Sequence, residues 1–433
     1  MTRSFKTSNY IEILKEIIPE IGCSGDKNIT SERLPALKSL VLIDDSEEQG
    51  FYSFDKLLIS DESKLEEVRV LSRSLHAEQP INIQFTSGTT GSPKGATLTH
   101  FNILNNAFSI ADKLKMDEND KLCIPVPLYH CFGMVGGNLT CLAAGACVVL
   151  SGESFEPLET MKAVESEKCT ILHGVPTMFI AQLRHPNFSD FDLSTLRSGV
   201  IAGSTCPEEL VSGVQDKMHM DGLLIAYGQT ETSPLSCMTA FDEPLEKRVT
   251  TVGKVLRHTE VKIIDTEGEV VECGVPGELC TRGYCVMVGY WNDEEKTHST
   301  IDSEGWLHSG DLATMDGEGY VSIVGRSKDL IIRGGENIFP RDIEDILHGL
   351  DSIEDVAIFG VKDDYYGEVV CAWVITAQGH TCEEETIRHY LSERLSHFKI
   401  PSIIRFVDKF PLTVTGKLQK YKMREMMEEE LGL

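Results

Sequence analysis

The sequence predicts an α/β protein. It should have a large N-terminal domain, built of sheets with covering helices and a β-rich subdomain, and a small mobile α+β C-terminal domain. Strand and helix patterns alternate from residue 81 to residue 214, as in sheets covered by helices. Short strands with frequent glycine occupy residues 252–324, and longer amphipathic elements return after Asp329. The 433 residues suggest about two to four domains.

The elements are predicted in order along the chain. Tyr10–Ile18 has the apolar spacing of a helix, and Leu40–Ile43 resembles a buried strand. Apolar and polar residues alternate over Ile81–Phe85, which predicts a strand; Ala96–Thr99 is a second strand, and a helix opens near Phe101. Further strands are predicted at Cys147–Leu150, Thr170–Leu172 and Ser198–Ala202, and helices at Thr177–Leu183 and Glu208–Val214.

A domain boundary is predicted at Gly325–Asp329, which divides the chain into residues 1–327 and residues 328–433. Pro340 suits the first position of a helix, and Thr381 with Glu384 forms a capping-box pattern before another helix. The remaining predicted elements are strands at Val261–Ile264, Gly277–Thr281, Tyr320–Val324, Val356–Val361 and Val369–Ile375, and a helix at Lys420–Leu431.

Composition limits the classes of partner. Lys and Arg total 40 and Asp and Glu total 68, a net charge of −28, which repels phosphate backbones and disfavours nucleic acid as a main partner. The longest apolar run, Cys141–Leu150, is much shorter than the ~20 residues of a membrane span, so no transmembrane segment is expected. The 13 cysteines include no C-x-x-C pair, which favours a reducing, intracellular compartment.

The strongest chemical signal is a stretch dense in glycine and hydroxyl residues that follows the predicted strand at Ile81–Phe85. Glycines let backbone N–H groups approach an anion, hydroxyls donate to phosphate oxygens, and a lysine adds positive charge. The alternative is an ordinary surface turn. The stretch comprises Thr86, Ser87, Gly88, Thr89, Thr90, Gly91, Ser92, Pro93, Lys94 and Gly95.

This stretch and four others, in order, resemble the signature motifs of the adenylate-forming superfamily, which includes acyl-CoA synthetases, luciferases and peptide-synthetase adenylation domains. The motifs are Thr86–Gly95, Tyr227–Thr232, Gly305–Asp311, Gly325–Asp329 with Arg333–Asn337, and Pro411–Lys417. Flanking stretches resemble the medium-chain group known as acyl-CoA synthetase family member 2. They are Pro127–Cys131, Arg282–Met287 and Ser396–Pro401.

The resemblance implies a site for ATP and Mg²⁺. Glu231 would help to hold Mg²⁺, which prefers oxygen ligands, and Asp311 would accept both ribose hydroxyls. Arg326 would bridge ribose and phosphate, and Tyr227 would offer its ring to adenine, with Gly203 leaving room on the other side of the base. Gly228 and Thr230 belong to the same adenine and magnesium motif.

The resemblance also implies sites for the acyl group and coenzyme A. His130 would gate the approach of the acyl carboxylate. Lys417 would neutralise the adenylation transition state, and rotation at Lys328 would exchange its loop for one in which Gly334 and Gly335 let the pantetheine arm of coenzyme A pass. Candidates for the acyl wall, with core packing as the alternative, are Phe132, Val175, Ile201 and Ala202.

The predicted function is therefore ATP-dependent ligation of a fatty acid, of medium chain length by resemblance, to coenzyme A through an acyl-adenylate. The alternatives are an adenylating enzyme with another acceptor and a catalytically inactive nucleotide- or acyl-binding form. Relatives carry a longer segment before the phosphate loop, so part of the large domain is expected to be absent, leaving apolar surface or an open sheet edge. A mitochondrial location follows from the resemblance, with a cytoplasmic alternative. Acyl chain length and oligomeric state are not predicted.

Overall fold

The computed structural model describes residues 1–5, 8–21, 28–44, 47–58, 62–86, 93–204, 206–412 and 418–433. The chain divides into two compact units, Met1–Leu75 and His76–Leu433. The first unit has a small apolar core that includes Ile11, Ile18 and Phe51. Its elements are β1 (Ser4–Phe5), β2 (Ser8–Asn9), α1 (Tyr10–Ile17), β3 (Val41–Leu42), β4 (Tyr52–Ser53) and α2 (Glu62–Arg73).

The second unit begins with an antiparallel hairpin, β5 (Pro80–Thr86) and β6 (Lys94–Thr99), followed by helix α3 (His100–Leu114). Thr99 caps this helix in a capping box with Asn102. The strand β5 lies at the sheet edge and exposes Ile81, Ile83 and Phe85. The statement that such a surface marks an absent segment remains a prediction.

A seven-stranded sheet with strand order β13-β12-β11-β10-β9-β7-β8 forms the centre of this unit. Strands β8 to β11 and β7 are parallel, and β12 and β13 are antiparallel additions. Apolar clusters fill both faces of the sheet, as expected for parallel strands covered by helices. The elements are β7 (Lys121–Cys123), α4 (Thr140–Ala144), β8 (Cys147–Val149), α5 (Pro157–Glu167), β9 (Ile171–Leu172), α6 (Pro176–Leu183), β10 (Ser198–Ala202), α7 (Glu208–Met218), β11 (Gly222–Gly228), β12 (Leu235–Met238), α8 (Leu245–Thr250) and β13 (Lys254–Val255).

A four-stranded antiparallel sheet follows, which confirms the predicted β-rich region. It contains β14 (Thr259–Ile264), β15 (Gly277–Gly283), β17 (Leu307–Met315) and β18 (Val321–Arg326). The short strand β16 (Gly289–Tyr290) instead pairs with β6, and α9 (Glu294–Thr300) follows it. This pairing brings Tyr290 beside the strand that leaves the predicted phosphate loop.

The last part of the chain folds around its own apolar clusters, which begin at Ile331. Within the described residues, both clusters contain only residues from Ile331 onward, and the division of the chain near residue 327 stays a prediction. The elements are β19 (Ile331–Arg333), β20 (Glu336–Ile338), α10 (Pro340–His348), β21 (Ile353–Asp363), β22 (Gly367–Thr376), α11 (Glu384–Ser392), β23 (Ile403–Phe406) and α12 (Lys420–Leu431).

One local prediction is wrong. Helix α11 is capped by Glu383, whose side chain makes no capping hydrogen bond, so the capping box of Thr381 and Glu384 does not form. Because the helix begins at Glu384, Thr381 lies too far upstream to reach the first free N–H groups. Within the described ranges, no helix is long and apolar enough to cross a membrane.

Candidate active site

The predicted phosphate loop joins β5 to β6. Thr86 and Lys94 are register partners where the two strands meet the loop, and Pro93 is exposed. The hairpin therefore holds both ends of the loop at one sheet edge. The loop residues themselves, Ser87, Gly88, Thr89, Thr90, Gly91 and Ser92, lie outside the described residues.

The nucleotide motifs converge on Asp311, which is only 4% exposed. Tyr227 Oη donates to Asp311 Oδ2 over 2.6 Å, and Gln229 Nε2 donates to the same oxygen over 3.0 Å. Arg326 Nε donates to Asp311 Oδ1 over 2.8 Å. Burial first, and then the neighbouring Asp311, raise the pKa of Tyr227 well above its ordinary value, so its hydroxyl remains a donor at neutral pH.

These partners alter the predicted role of Asp311. A carboxylate offers about four acceptor positions, and three of them are already taken by Tyr227, Gln229 and Arg326. Asp311 can accept both hydroxyls of a ribose only if one of those donors moves away. Arg326 is the most exposed of the three bonded groups at 46% of its side chain, so it is the donor best placed to move.

Close backbone packing explains Gly228, and backbone conformation explains Gly203. A Cβ on Gly228 would lie 1.9 Å from the carbonyl oxygen of Pro234, so no side chain fits there. Gly203 has a φ of 97°, in the left-handed region that favours glycine. Gly203 follows β10 and is exposed, as expected for a residue that leaves room for a base.

The strand that carries Asp311 is supported by Glu278. Glu278 Oε1 accepts from the Gly310 N–H over 2.9 Å, and Glu278 Oε2 lies 3.0 Å from His308 Nδ1. With Cys280 these residues form the one group of metal-ligand side chains found in the described part of the chain. Burial, followed by the charge of Glu278, raises the pKa of Cys280 to about 12, so its thiol is protonated. Because Glu278 bonds both His308 and the Gly310 N–H, we interpret this cluster as a structural support for the segment that carries Asp311.

Glu231 lies in the turn after β11 and is 8% exposed. Tyr290 Oη donates to Glu231 Oε1 over 2.8 Å and accepts from Lys94 Nζ over 3.1 Å. In the described part of the chain, Glu231 Oε2 has no hydrogen-bond partner. A buried carboxylate with one free oxygen fits the oxygen ligands that Mg²⁺ prefers. Thr230 is buried beside Glu231, and its hydroxyl is a second oxygen of the kind that Mg²⁺ prefers.

The acyl candidates separate into two groups. Phe132, Val175 and Ala202 belong to one apolar cluster, whereas Ile201 is fully buried in the cluster on the other face of the sheet, because successive residues of β10 point to opposite faces. Ile201 therefore cannot line the same wall. His130 is half-buried, and its Nδ1 accepts from the Phe132 N–H over 3.1 Å, so the side chain is held at the start of the π-helix Phe132–Leu139.

The C-terminal motifs follow directly on the nucleotide pocket. The predicted hinge residue, Lys328, lies in the short 3-10 turn Ser327–Asp329, two residues after Arg326 of the Asp311 network. Gly334 and Gly335 form the two-residue turn between β19 and β20, with φ of 60° and 89°. Lys417 lies outside the described residues.

Sequence reasoning missed three side chains of this site. Gln229 was part of a recognised motif without a role, whereas Tyr290 and Glu278 contact the site across long stretches of sequence. The only sequence signal for Tyr290 and Glu278 is their place in short glycine-bounded strands, Gly289–Tyr290 and Gly277–Gly283.

Comparisons with known proteins agree with this geometry. A family model described as "AMP-binding enzyme" matches residues 22–291, and one described as "AMP-binding enzyme C-terminal domain" matches residues 342–417. The chain is 44% identical to the medium-chain acyl-CoA ligase ACSF2, mitochondrial, of Bos taurus, covering 100% of this chain and 71% of that protein. It is 45% identical to the putative acyl-CoA synthetase YngI of Bacillus subtilis (strain 168), covering 99% of this chain and 78% of that protein.

Solved structures with the same architecture hold adenine nucleotides. The anthranilate CoA ligase AuaEII in complex with anthranoyl-AMP superposes with a TM-score of 0.79 at 27% identity, covering 93% of this chain and 76% of that one. ATP-bound MatB from Rhodopseudomonas palustris superposes with a TM-score of 0.76 at 30% identity, covering 82% of this chain and 69% of that one. The chain therefore belongs to the AMP-binding enzyme family, as an adenylate-forming acyl-CoA ligase.

Proposed function

We propose that this enzyme joins a medium-chain fatty acid to coenzyme A in two steps, with an acyl-adenylate as the intermediate and AMP and pyrophosphate as products. The observation that carries the proposal is the direct adjacency of two networks. The Asp311 network suits a ribose, the Glu231–Tyr290–Lys94 network suits the phosphates and their metal, and the turn Thr230–Thr232 follows the Tyr227–Gln229 segment without a gap. The medium-chain acid is proposed from the mammalian relatives, which are medium-chain acyl-CoA ligases.

In the first step the acid carboxylate attacks the α-phosphorus of ATP and pyrophosphate leaves. Two anions meet, so positive charge and in-line orientation are required. Lys94 and the backbone N–H groups of residues 86–95 other than Pro93 would hold the phosphates, and Asp311 and Arg326 would hold the ribose. Mg²⁺, bound by Glu231, would offset the charge of the phosphates. Lys417 would donate to the transition state, a contribution that is typically ~2.7–4 kcal/mol for one such donor.

In the second step the coenzyme A thiol attacks the acyl carbon, and AMP leaves. We infer that the part after Lys328 rotates between the steps, withdrawing the Lys417 loop and presenting the turn of Gly334 and Gly335 to the pantetheine arm. The compartment proposed is intracellular and, by analogy with the mitochondrial mammalian relatives, mitochondrial. A cytoplasmic location is the alternative, because a bacterial relative has similar identity.

The test is ATP–pyrophosphate exchange over a series of fatty acids of increasing length, with wild type and Lys417→Ala. Wild type should exchange with acids of medium length. Lys417→Ala should lose exchange by about 100- to 1,000-fold, yet keep most of its rate from chemically prepared acyl-AMP and coenzyme A.

Three outcomes would contradict the proposal. Exchange without transfer to coenzyme A indicates another acceptor, and nucleotide binding without exchange for any acid indicates an inactive form. Equal loss of both steps in Lys417→Ala contradicts a lysine that acts only in adenylation. Lys420→Ala is the matched control, because Lys420 pairs with Glu344 over 2.7 Å and its loss should affect both steps alike.

A further inference from the structure

Tyr290 is anchored next to the phosphate-binding hairpin by backbone contacts. Its strand pairs with β6, with Tyr290 opposite Ala96, and the Trp291 N–H donates to the Gly95 carbonyl over 2.7 Å. The Tyr290 N–H donates to Thr297 Oγ1 over 2.9 Å. The residue is 6% exposed, so the position of its hydroxyl is set by the surrounding packing.

The two hydrogen bonds of the Tyr290 hydroxyl have a fixed direction. An ammonium group can only donate, so Tyr290 Oη accepts from Lys94 Nζ and uses its single hydrogen on Glu231 Oε1. The ammonium of Lys94 also lies 4.5 Å from the centre of the Tyr290 ring.

The consequence falls on Glu231. With Oε1 held by the Tyr290 hydroxyl, the carboxylate cannot rotate freely, and Oε2 is the oxygen left for a ligand. Residues that orient a metal ligand in this way commonly change metal affinity 10–100-fold when they are removed.

We propose that Tyr290 is a positioning residue for the metal–nucleotide complex: its hydroxyl fixes Glu231 as a one-oxygen metal ligand and holds Lys94 beside it. The proposal rests on the proposed function and assigns it a residue that the recognised motifs do not contain. A purely structural Tyr290, needed only to satisfy buried Glu231, would affect folding stability without changing metal affinity.

The experiment measures binding of Mn²⁺, as a probe for Mg²⁺, to the full chain with α,β-methylene-ATP, by the loss of the free Mn²⁺ signal in electron paramagnetic resonance. Tyr290→Phe keeps the ring and removes the hydroxyl. It should weaken Mn²⁺ binding about tenfold. The matched control is Tyr284→Phe, because the Tyr284 hydroxyl bonds Ser109 over 3.0 Å, outside the site; it should leave Mn²⁺ affinity unchanged.

A second comparison separates positioning from general damage. In a Glu231→Gln background, Tyr290→Phe should cause no further loss of Mn²⁺ affinity, because the ligand that it positions is gone. Unchanged affinity in Tyr290→Phe, or an independent additive loss in the double variant, would overturn the inference. If wild type binds Mn²⁺ with the nucleotide but shows no acid-dependent exchange, the proposed function fails and the role of Tyr290 in metal binding is still decided by the same data.

Discussion

Asp311 carries a buried negative charge in the nucleotide pocket, and its three donors come from two separate parts of the sequence, Tyr227 with Gln229 and Arg326. Leaving a buried polar group without its partner costs about 1–3 kcal/mol, so Tyr227, Gln229 and Arg326 define one another's positions. The motif residues could be predicted because each lies in a short local pattern. Tyr290 and Glu278 could not, since their partners are set by the pairing of β16 with β6 and of β15 with β17.

His173 is the residue with the clearest pH dependence. It is fully buried and stacked on Phe132, the Val200 N–H donates to its Nδ1 over 3.1 Å, and its Nε2 contacts the Gly136 carbonyl over 3.0 Å. This arrangement requires the neutral ring. Burial lowers the pKa of His173 from 6.5 to about 4.

The sign follows from proton binding. Between pH 4 and 6.5 the unfolded chain binds the proton and the folded chain does not, so this group's contribution to stability is complete above pH 6.5 and is lost as the pH falls towards 4. From about pH 7.5 to about pH 5, wild type should lose about 2 kcal/mol more unfolding free energy in urea than His173→Asn. The control His380→Asn, at an exposed histidine, should keep the wild-type difference; equal pH dependence in wild type and His173→Asn would refute the assignment.

Elements with regular periodicity were predicted closely. Strand β10 and helix α12 have the predicted bounds, because their apolar residues follow a clear pattern. Helix α7 continues to Met218, beyond the predicted Val214, since Met218 is also buried. The π-helix Phe132–Leu139 was not predicted: its geometry depends on close packing, and a Cβ on Gly133 would lie 2.3 Å from the Pro127 carbonyl oxygen.

The turn between β19 and β20 should be important for transfer of the acyl group to coenzyme A. Both of its glycines have left-handed φ, and a side chain there costs roughly 1–2 kcal/mol. Gly335→Val should slow transfer of a preformed acyl-adenylate to coenzyme A by about tenfold or more, with ATP–pyrophosphate exchange unchanged.

Gly379→Val is the matched control for backbone strain. Gly379 has a φ of 82° against 89° for Gly335, and an added Cβ meets nothing within 4 Å at either position. Both variants should lose similar unfolding free energy, but only Gly335→Val should slow the transfer. A similar slowing in both variants would mean that the turn has no special role in the second step.

At the scale of the whole molecule, contacts join the part before Arg326 to the part after Ile331. Arg184 pairs with Glu354 over 2.6 Å, and Arg341 donates to the Ile323 carbonyl. An exposed ion pair is worth about 0–1 kcal/mol, so the pair of Arg184 and Glu354 can break without great cost. The order of the motifs predicted that the parts before Arg326 and after Ile331 contribute to one site. Their relative placement could not be predicted, because isolated contacts such as that of Arg184 with Glu354 have no recognisable sequence pattern.

If the second part rotates between the two steps, a link across this contact should stop one step only. We expect Arg184→Cys with Glu354→Cys, joined by a short bis-maleimide, to keep one half-reaction and to lose the other at least about tenfold. The exposed Cys147 and Cys273 are replaced by serine in all samples, and peptide mapping verifies the link. The unlinked protein is the control and should carry out both steps; full activity of the linked protein in both would exclude the rotation.

The strand Pro80–Thr86 has a consequence for handling the protein. It lies at a sheet edge, its sequence contains no charged residue, and Phe85 is 72% exposed. Natural proteins usually protect such edges with lysine, proline or bulges, and here Pro80 and the irregular register between Pro80 and Asn82 protect only the start of the strand. At high concentration the enzyme should therefore self-associate through this strand despite its strong net charge. Ile83→Lys, which places a charge on the edge, should prevent this aggregation.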